Sequence, residues 1–171
     1  NAERRYQPGT AMHVMAAVAM HGSRLLRVAL PVISRLMRQT GHPAALGVLW
    51  RGRVSYLYHG GDVVGGIAGH EAFPAAQSSI GKALLAGADA DEVKTAAAVA
   101  NMPVAALKRE LAGVRCAGYA VDERRDAGSF AVAIGQPAIA AVALIHGPGF
   151  AETDIAALRA AADTIGGLLD A

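Results

Sequence analysis

The sequence contains little of what marks secreted, membrane-embedded or nucleic-acid-binding proteins. Its single cysteine, Cys116, excludes an internal disulfide and fits a reducing compartment. With only 3 Phe, 4 Tyr and 1 Trp, a core has to be built mainly from Ala, Val, Leu and Ile. The net charge of +2 is far from the dense positive charge of a nucleic-acid-binding face, so we expect no DNA contact by this chain itself.

Long uninterrupted hydrophobic runs are also missing. Residues 11–21 are almost continuously apolar but too short to span a bilayer, and the uncharged stretch 130–151 is broken by Gly and Pro. Residues 1–9 are polar, so no cleavable signal peptide is expected. A cytoplasmic protein without membrane contact is predicted. Because residues 11–21 are apolar all round, we expect them to be covered by another subunit.

The most informative local pattern is Ser78–Gly87, which is entered through Phe73-Pro74. It predicts a short helix that starts at Ser78 or Ser79 and stops at Gly87. The first turn of such a helix points free backbone N–H groups at whatever lies in front of it, which would suit a small anion. An ordinarily capped helix without a ligand is the alternative.

Before this stretch, periodicity predicts a helix over Arg24–Thr40, with Pro31 as a kink or as its true start. A hairpin follows, with strands at 44–50 and 54–58. Strict alternation places one set of side chains on one face (Val54, Tyr56, Tyr58) and another set on the opposite face (Ser55, Leu57, His59). Trp50 and Tyr56 could line a pocket. A further strand through Val63 and Val64 is also possible.

After the stretch Ser78–Gly87, Asp89 with Glu92 resembles a capping arrangement at the start of a second helix. Pro103 begins a third helix, which ends at Gly118. Strands are predicted at 119–122, 129–134 and 139–146, the last two joined by a tight turn, and a final helix at 153–169. The total is about five or six strands and six helices. This composition predicts an α+β domain, a mainly antiparallel sheet flanked by helices.

Several motifs in this order resemble the C-terminal effector-binding domain of IclR-type transcriptional regulators. They are Tyr6-Gln-Pro-Gly9, Phe73-Pro74, Ser79-Ile-Gly-Lys-Ala-Leu-Leu-Ala86, Gly118-Tyr-Ala-Val-Asp122 and Gly147-Pro148. The resemblance covers nearly the whole chain and implies a GAF-like or profilin-like fold. It also implies that residues 1–23 are a linker and interface helix after a winged helix-turn-helix domain missing from this chain, and that residues 24–171 bind the effector. DNA would be contacted only through that missing domain, in a homodimer or homotetramer.

The resemblance further implies which residues contact the effector, a small metabolite such as an organic or aromatic acid. They are Ser78, Ser79, Ile80, Asp122, Ser129, Ala131, Leu144 and His146. Period-two alternation puts Ser129 and Ala131 on one face of their strand and Leu144 and His146 on one face of theirs. Ser hydroxyls and backbone N–H groups could hold a carboxylate, with His146 as a further donor when protonated.

Ala72 and Ala76 replace the basic residue and the His that such regulators usually carry around Phe-Pro, which suggests a larger or more apolar ligand than a simple keto acid. No metal is expected, since His59, His70 and Glu71 lack ligand spacing, and no cofactor. A sensor without catalysis is therefore the first interpretation. The alternatives are an oligomerisation module that binds no ligand, and a small hydrolase-like enzyme with Ser78 or Cys116 as nucleophile and His70 or His146 as base.

Overall fold

The computed structural model describes residues 9–60, 72–123, 128–146 and 151–171. Its helices are α1 (Thr10–Gly22), α2 (Arg24–Thr40), α3 (Ser79–Leu85), α4 (Ala90–Val99), α5 (Val104–Ala117) and α6 (Glu152–Asp170), with a 3₁₀ turn at Ala75–Gln77. Its strands are β1 (Ala44–Trp50), β2 (Arg53–His59), β3 (Phe73–Pro74), β4 (Ala120–Glu123), β5 (Gly128–Ile134) and β6 (Ala140–His146). They form a sheet of six strands in the order β3-β2-β1-β6-β5-β4, and every pairing is antiparallel. The predicted α+β class with a mainly antiparallel sheet is confirmed.

Local signals at the helix ends explain most of the boundaries. Ser23 caps α2, so Pro31 lies inside the helix and the alternative that Pro31 starts it is wrong. Gly41 ends α2 and Gly118 ends α5, each in the left-handed conformation that glycine adopts without strain. The side chain of Asp89 accepts the N–H groups of Asp91 and Glu92 at the start of α4, as predicted.

Glu92 departs from the predicted capping arrangement. Its carboxylate accepts the N–H of Gly52 in the β1–β2 turn at 2.7 Å instead of folding back on its own helix. This contact ties the tip of the hairpin to α4. The suggested strand through Val63 and Val64 lies outside the described residues.

Helices cover both faces of the sheet, and the two faces differ in side-chain size. On one face α3, α4 and α5 pack against small strand residues, among them Ala45, Ala131, Ala141 and Ala143. On the other face α2 and α6 pack against larger ones, among them Leu46, Phe130, Val142 and Leu144. Small side chains under α3 leave space between that helix and the sheet.

Helix α1 stands apart from both cores. None of its residues is buried, and Met12, Val14, Met15 and Val18 are 57–68% exposed. Within the described parts of the chain, no single helix is long and apolar enough to cross a membrane. Only α1 and α2 taken together reach the necessary length and composition, and they are bent by 66° relative to each other.

The alternation predicted for β2 is wrong beyond Leu57, for Tyr58 and His59. The pairing of β1 with β2 passes from Gly47↔Tyr56 to Leu46↔Tyr58, so Leu57 is an extra residue in a β-bulge. Leu57 and Tyr58 therefore both pack on the α2 side, while Tyr56 packs on the α3 side. His59, paired with Ala45, follows Tyr56 to the α3 side.

Candidate functional site

A cleft of about 180 Å³ opens between the start of α3 and the sheet. Its floor and walls are apolar or small, formed by Ala45, Ile80, Gly128, Ala143 and Ile145. Its polar groups belong to Tyr56, His59, Ser78, Ser79, Asp122 and Ser129. A concave, mostly apolar cavity with a few convergent polar groups is typical of a small-molecule site.

The two serines that precede α3 have different tasks. Ser78 caps the helix, because its hydroxyl oxygen accepts the N–H of Gly81 at 2.9 Å. Ser79 faces the sheet, and its hydroxyl lies 2.7 Å from that of Ser129 on β5. Both serines of the helix start are buried, with exposed fractions of 4% and 2%. The hydroxyl pair thus joins α3 to β5 at the edge of the cleft.

The 3₁₀ turn at Ala75–Gln77 packs closely against the start of α3 and fixes its position. A side chain on Gly81 would meet the carbonyl oxygen of Ala75 at 2.0 Å, so only glycine fits at that position. Lys82, the next residue of the motif, turns away from the cleft and forms an ion pair of 2.9 Å with Glu110 on α5. Among the described residues of the cleft there is no Lys or Arg.

Asp122 and Ser129 are neighbours because β4 and β5 pair in register at this point. Both side chains are half-buried and line the cleft. The carboxylate of Asp122 is a hydrogen-bond acceptor, whereas a serine hydroxyl can both donate and accept. The cleft therefore offers both kinds of partner to a ligand.

Five of the predicted contact residues meet in this cleft: Ser78, Ser79, Ile80, Asp122 and Ser129. Ala131, predicted with them, is fully buried beneath α3 and lies in the core rather than in the cleft wall.

Leu144 and His146, which were also predicted as effector contacts, do not line this cleft. Leu144 is fully buried in the core under α2 and α6, and the ring of His146 packs against Phe130 of the same core, with ring centroids 5.6 Å apart. The register of β5 with β6 explains where these two residues lie. Ser129 pairs with Ile145 and Ala131 with Ala143, and paired residues share a face. The β6 residues on the cleft side are therefore the odd-numbered ones.

Sequence reasoning did not assign His59, Ala45, Gly128, Ala143 or Ile145 to the site. Alternation along β6 together with the register of β5 gives Ala143 and Ile145. His59 reaches the cleft only because of the bulge at Leu57, for which the sequence shows no clear signal. Of the two aromatic residues considered, Tyr56 lines the cleft, and Trp50 lies at the hairpin tip with 63% of its surface exposed.

The candidate nucleophiles and bases of a hydrolase-like enzyme do not lie close together among the described residues. Cys116 lies exposed on α5, and His146 lies on the opposite face of the sheet from Ser78. The hydroxyl of Ser78 serves as a helix cap. His70 lies outside the described residues.

Comparison with known protein families shows to which family the chain belongs. A family model described as "Bacterial transcriptional regulator IclR C-terminal" matches residues 17–138. The chain belongs to the IclR family. No curated protein matches its sequence at a significant level.

Solved IclR-type structures share this fold. An IclR homolog from Microbacterium sp. strain HM58-2 is 26% identical, with a TM-score of 0.73 over 100% of this chain and 77% of that one. An IclR homolog from Microbacterium hydrocarbonoxydans, complexed with 4-hydroxybenzoate, is 25% identical, with a TM-score of 0.76 over 92% of this chain and 74% of that one. The C-terminal domain of the E. coli transcriptional regulator KdgR is 25% identical, with a TM-score of 0.74 over 86% of this chain and 99% of that one. The IclR family and these relatives are transcriptional regulators.

Proposed function

We propose that this chain is the ligand-sensing domain of a cytoplasmic transcriptional regulator and that a small organic acid binds in the cleft beside α3. Residues 24–171 would bind the effector, and residues 1–23 would connect them to a winged helix-turn-helix domain that contacts DNA. The ligand would act by binding two arrangements of the protein with different affinity, without being converted.

The hydroxyl pair of Ser79 and Ser129 is the observation that carries this proposal. At 2.7 Å one hydroxyl donates to the other, so one O–H proton of the pair remains for a further acceptor. An oxygen atom of a bound carboxylate would satisfy it. Because α3 carries one hydroxyl and β5 the other, a ligand at this point bridges a helix and the sheet.

The size of the cleft supports a small ligand. About 180 Å³ lies below the roughly 300–1,000 Å³ of sites for drug-sized molecules. Apolar walls from Ile80 and Ile145, with the ring of Tyr56, favour a flat apolar body such as a benzene ring. The 4-hydroxybenzoate complex of the Microbacterium hydrocarbonoxydans homolog agrees with a hydroxylated aromatic acid as the ligand class.

A thermal-shift titration with 4-hydroxybenzoate and benzoate tests the proposal. A ligand at a hundred times its Kd stabilises the folded state by about 2.7 kcal/mol, which raises Tm by roughly 5–10 °C in a chain of this size. Ser79→Ala removes a donor worth about 1 kcal/mol, so binding should weaken roughly fivefold. Ser34→Ala, on the exposed face of α2, is the matched control and should leave binding unchanged.

Asp122→Asn should change the binding of 4-hydroxybenzoate and of benzoate differently. The carboxylate of Asp122 would repel the carboxylate of either acid, but it would accept a hydrogen bond only from the phenolic hydroxyl of 4-hydroxybenzoate. The variant should therefore bind benzoate more tightly and lose the preference for the hydroxylated acid. If no small acid changes Tm, the oligomerisation module becomes the better interpretation. Consumption of the ligand that Ser78→Ala abolishes would favour the enzyme.

We further propose that α1 lies in the interface of a homodimer or homotetramer. Its exposed large side chains include Met12, Val14, Met15 and Val18, which are all apolar, and the helix has no buried residue. An exposed apolar surface of this kind is typical of a protein–protein contact. A second copy of the chain, presenting the same helix, would cover it.

A further inference from the structure

The β-bulge at Leu57 turns His59 into the cleft. In a regular strand, side chains alternate, so His59 would lie on the opposite face from Tyr56. The extra residue changes this parity, and both side chains then lie on the α3 side, with their ring centroids 6.1 Å apart in an edge-on arrangement. Bulges are frequent next to binding and catalytic sites, where they redirect a side chain.

The imidazole of His59 makes no hydrogen bond to any described residue. Its Nδ1 is shielded from solvent and has no partner among the described groups. Because Nδ1 is shielded and the residue lines the cleft, we infer that the edge of the ring that carries Nε2 faces the cavity.

The shielded Nδ1 determines where the ring proton belongs. A buried donor or acceptor without a partner costs about 1–3 kcal/mol, and in proteins a buried N–H without an acceptor is rarer than a buried acceptor that lacks a donor. The proton is therefore placed on Nε2, and His59 presents an N–H donor to the cleft.

We propose that His59 is a specificity-determining residue of the cleft, whose Nε2–H donates to a carbonyl or carboxylate oxygen of the bound molecule. The proposal rests on the function proposed above and adds the residue that selects the ligand's acceptor group. Because the described lining contains no Lys or Arg, recognition of that oxygen depends on neutral donors, the remaining hydroxyl of the Ser79–Ser129 pair and His59.

Two probes and two substitutions test this assignment by isothermal titration. The probes are 4-hydroxybenzoate and 4-methylphenol, which has a methyl group in place of the carboxylate. His59→Leu removes the donor and should lower the affinity for 4-hydroxybenzoate about tenfold. The affinity for 4-methylphenol should change less than about twofold. His59→Gln places an amide N–H near the position of Nε2 and should retain most of the affinity. His42→Gln, at a histidine that contacts Asp154 outside the cleft, is the control.

Nitrogen NMR of the wild-type imidazole gives a readout that does not depend on a variant folding. The proposal expects the tautomer protonated at Nε2 in the free protein and a shift of the Nε2 resonance of His59 when 4-hydroxybenzoate is added. Equal affinities of wild type and His59→Leu, or an unchanged resonance under saturating ligand, overturn the role of His59. If Ser79→Ala still weakens binding in that case, the proposed function stands. If neither probe binds the wild type, both proposals fail.

Discussion

An added methyl group at Gly81 should destabilise the fold and distort the cleft. A Cβ there would lie 2.0 Å from the carbonyl oxygen and 2.5 Å from the carbonyl carbon of Ala75. These are backbone atoms of the 3₁₀ turn, which cannot rotate away as a side chain would. Overpacking in a tight core costs about 1–3 kcal/mol, and a clash with backbone belongs at the upper end. At about 3 kcal/mol, Gly81→Ala should lower Tm by roughly 6–12 °C.

Gly87, which follows the other end of α3, supplies the matched control. Gly87 is exposed, has no atom within 4 Å of the position that a Cβ would occupy and needs no left-handed backbone, so Gly87→Ala should not lower Tm and should raise it by at most about 4 °C. Differential scanning calorimetry of the two variants measures the contrast. Because the clash also displaces Ser78 and Ser79, Gly81→Ala should bind 4-hydroxybenzoate more weakly than Gly87→Ala. A Tm for Gly81→Ala within about 2 °C of the wild type would refute the reasoning.

Two further predictions concern the sheet and α1. A Cβ on Gly128 would lie 2.6 Å from the ring of His146, which is itself buried, so Gly128→Ala should cost about 1–3 kcal/mol and lower Tm measurably by calorimetry. Val18→Glu should reduce the size of the assembly seen by light scattering, since it places a charge on the apolar surface of α1, while Gln39→Glu on α2 should not. An unchanged mass for Val18→Glu would contradict the interface proposal.

Helix boundaries were predictable because their signals are local. The span Arg24–Thr40 of α2 follows from its apolar periodicity and from Gly41, which takes a positive φ of 71°. The start of α3 follows from the hydroxyl residues, and Ser78 supplies the cap. Such signals depend on a few neighbouring residues, so one sequence is enough to recognise them.

The residues of the cleft were predictable only in part. Resemblance to a family gave Ser79, Asp122 and Ser129, which lie far apart in the chain and meet in the structure. Strand register and bulges depend on contacts between distant segments, and a shift of one residue exchanges the two faces of a strand. The register of β5 with β6 places Leu144 and His146 on the face away from the cleft, and the bulge at Leu57 places His59 on the cleft side.

The side of the sheet on which a ligand fits follows from side-chain volume, and β6 carries this information in its sequence. One face of the strand bears Ala141, Ala143 and Ile145, and the other bears Val142, Leu144 and His146. Large side chains fill the space under α2 and α6, because that face is packed to the density of a protein core. Alanines cannot fill the space under α3, so a cleft forms where Ala45 and Ala143 lie side by side in neighbouring strands. The face with the smaller side chains is therefore the one with room for a ligand.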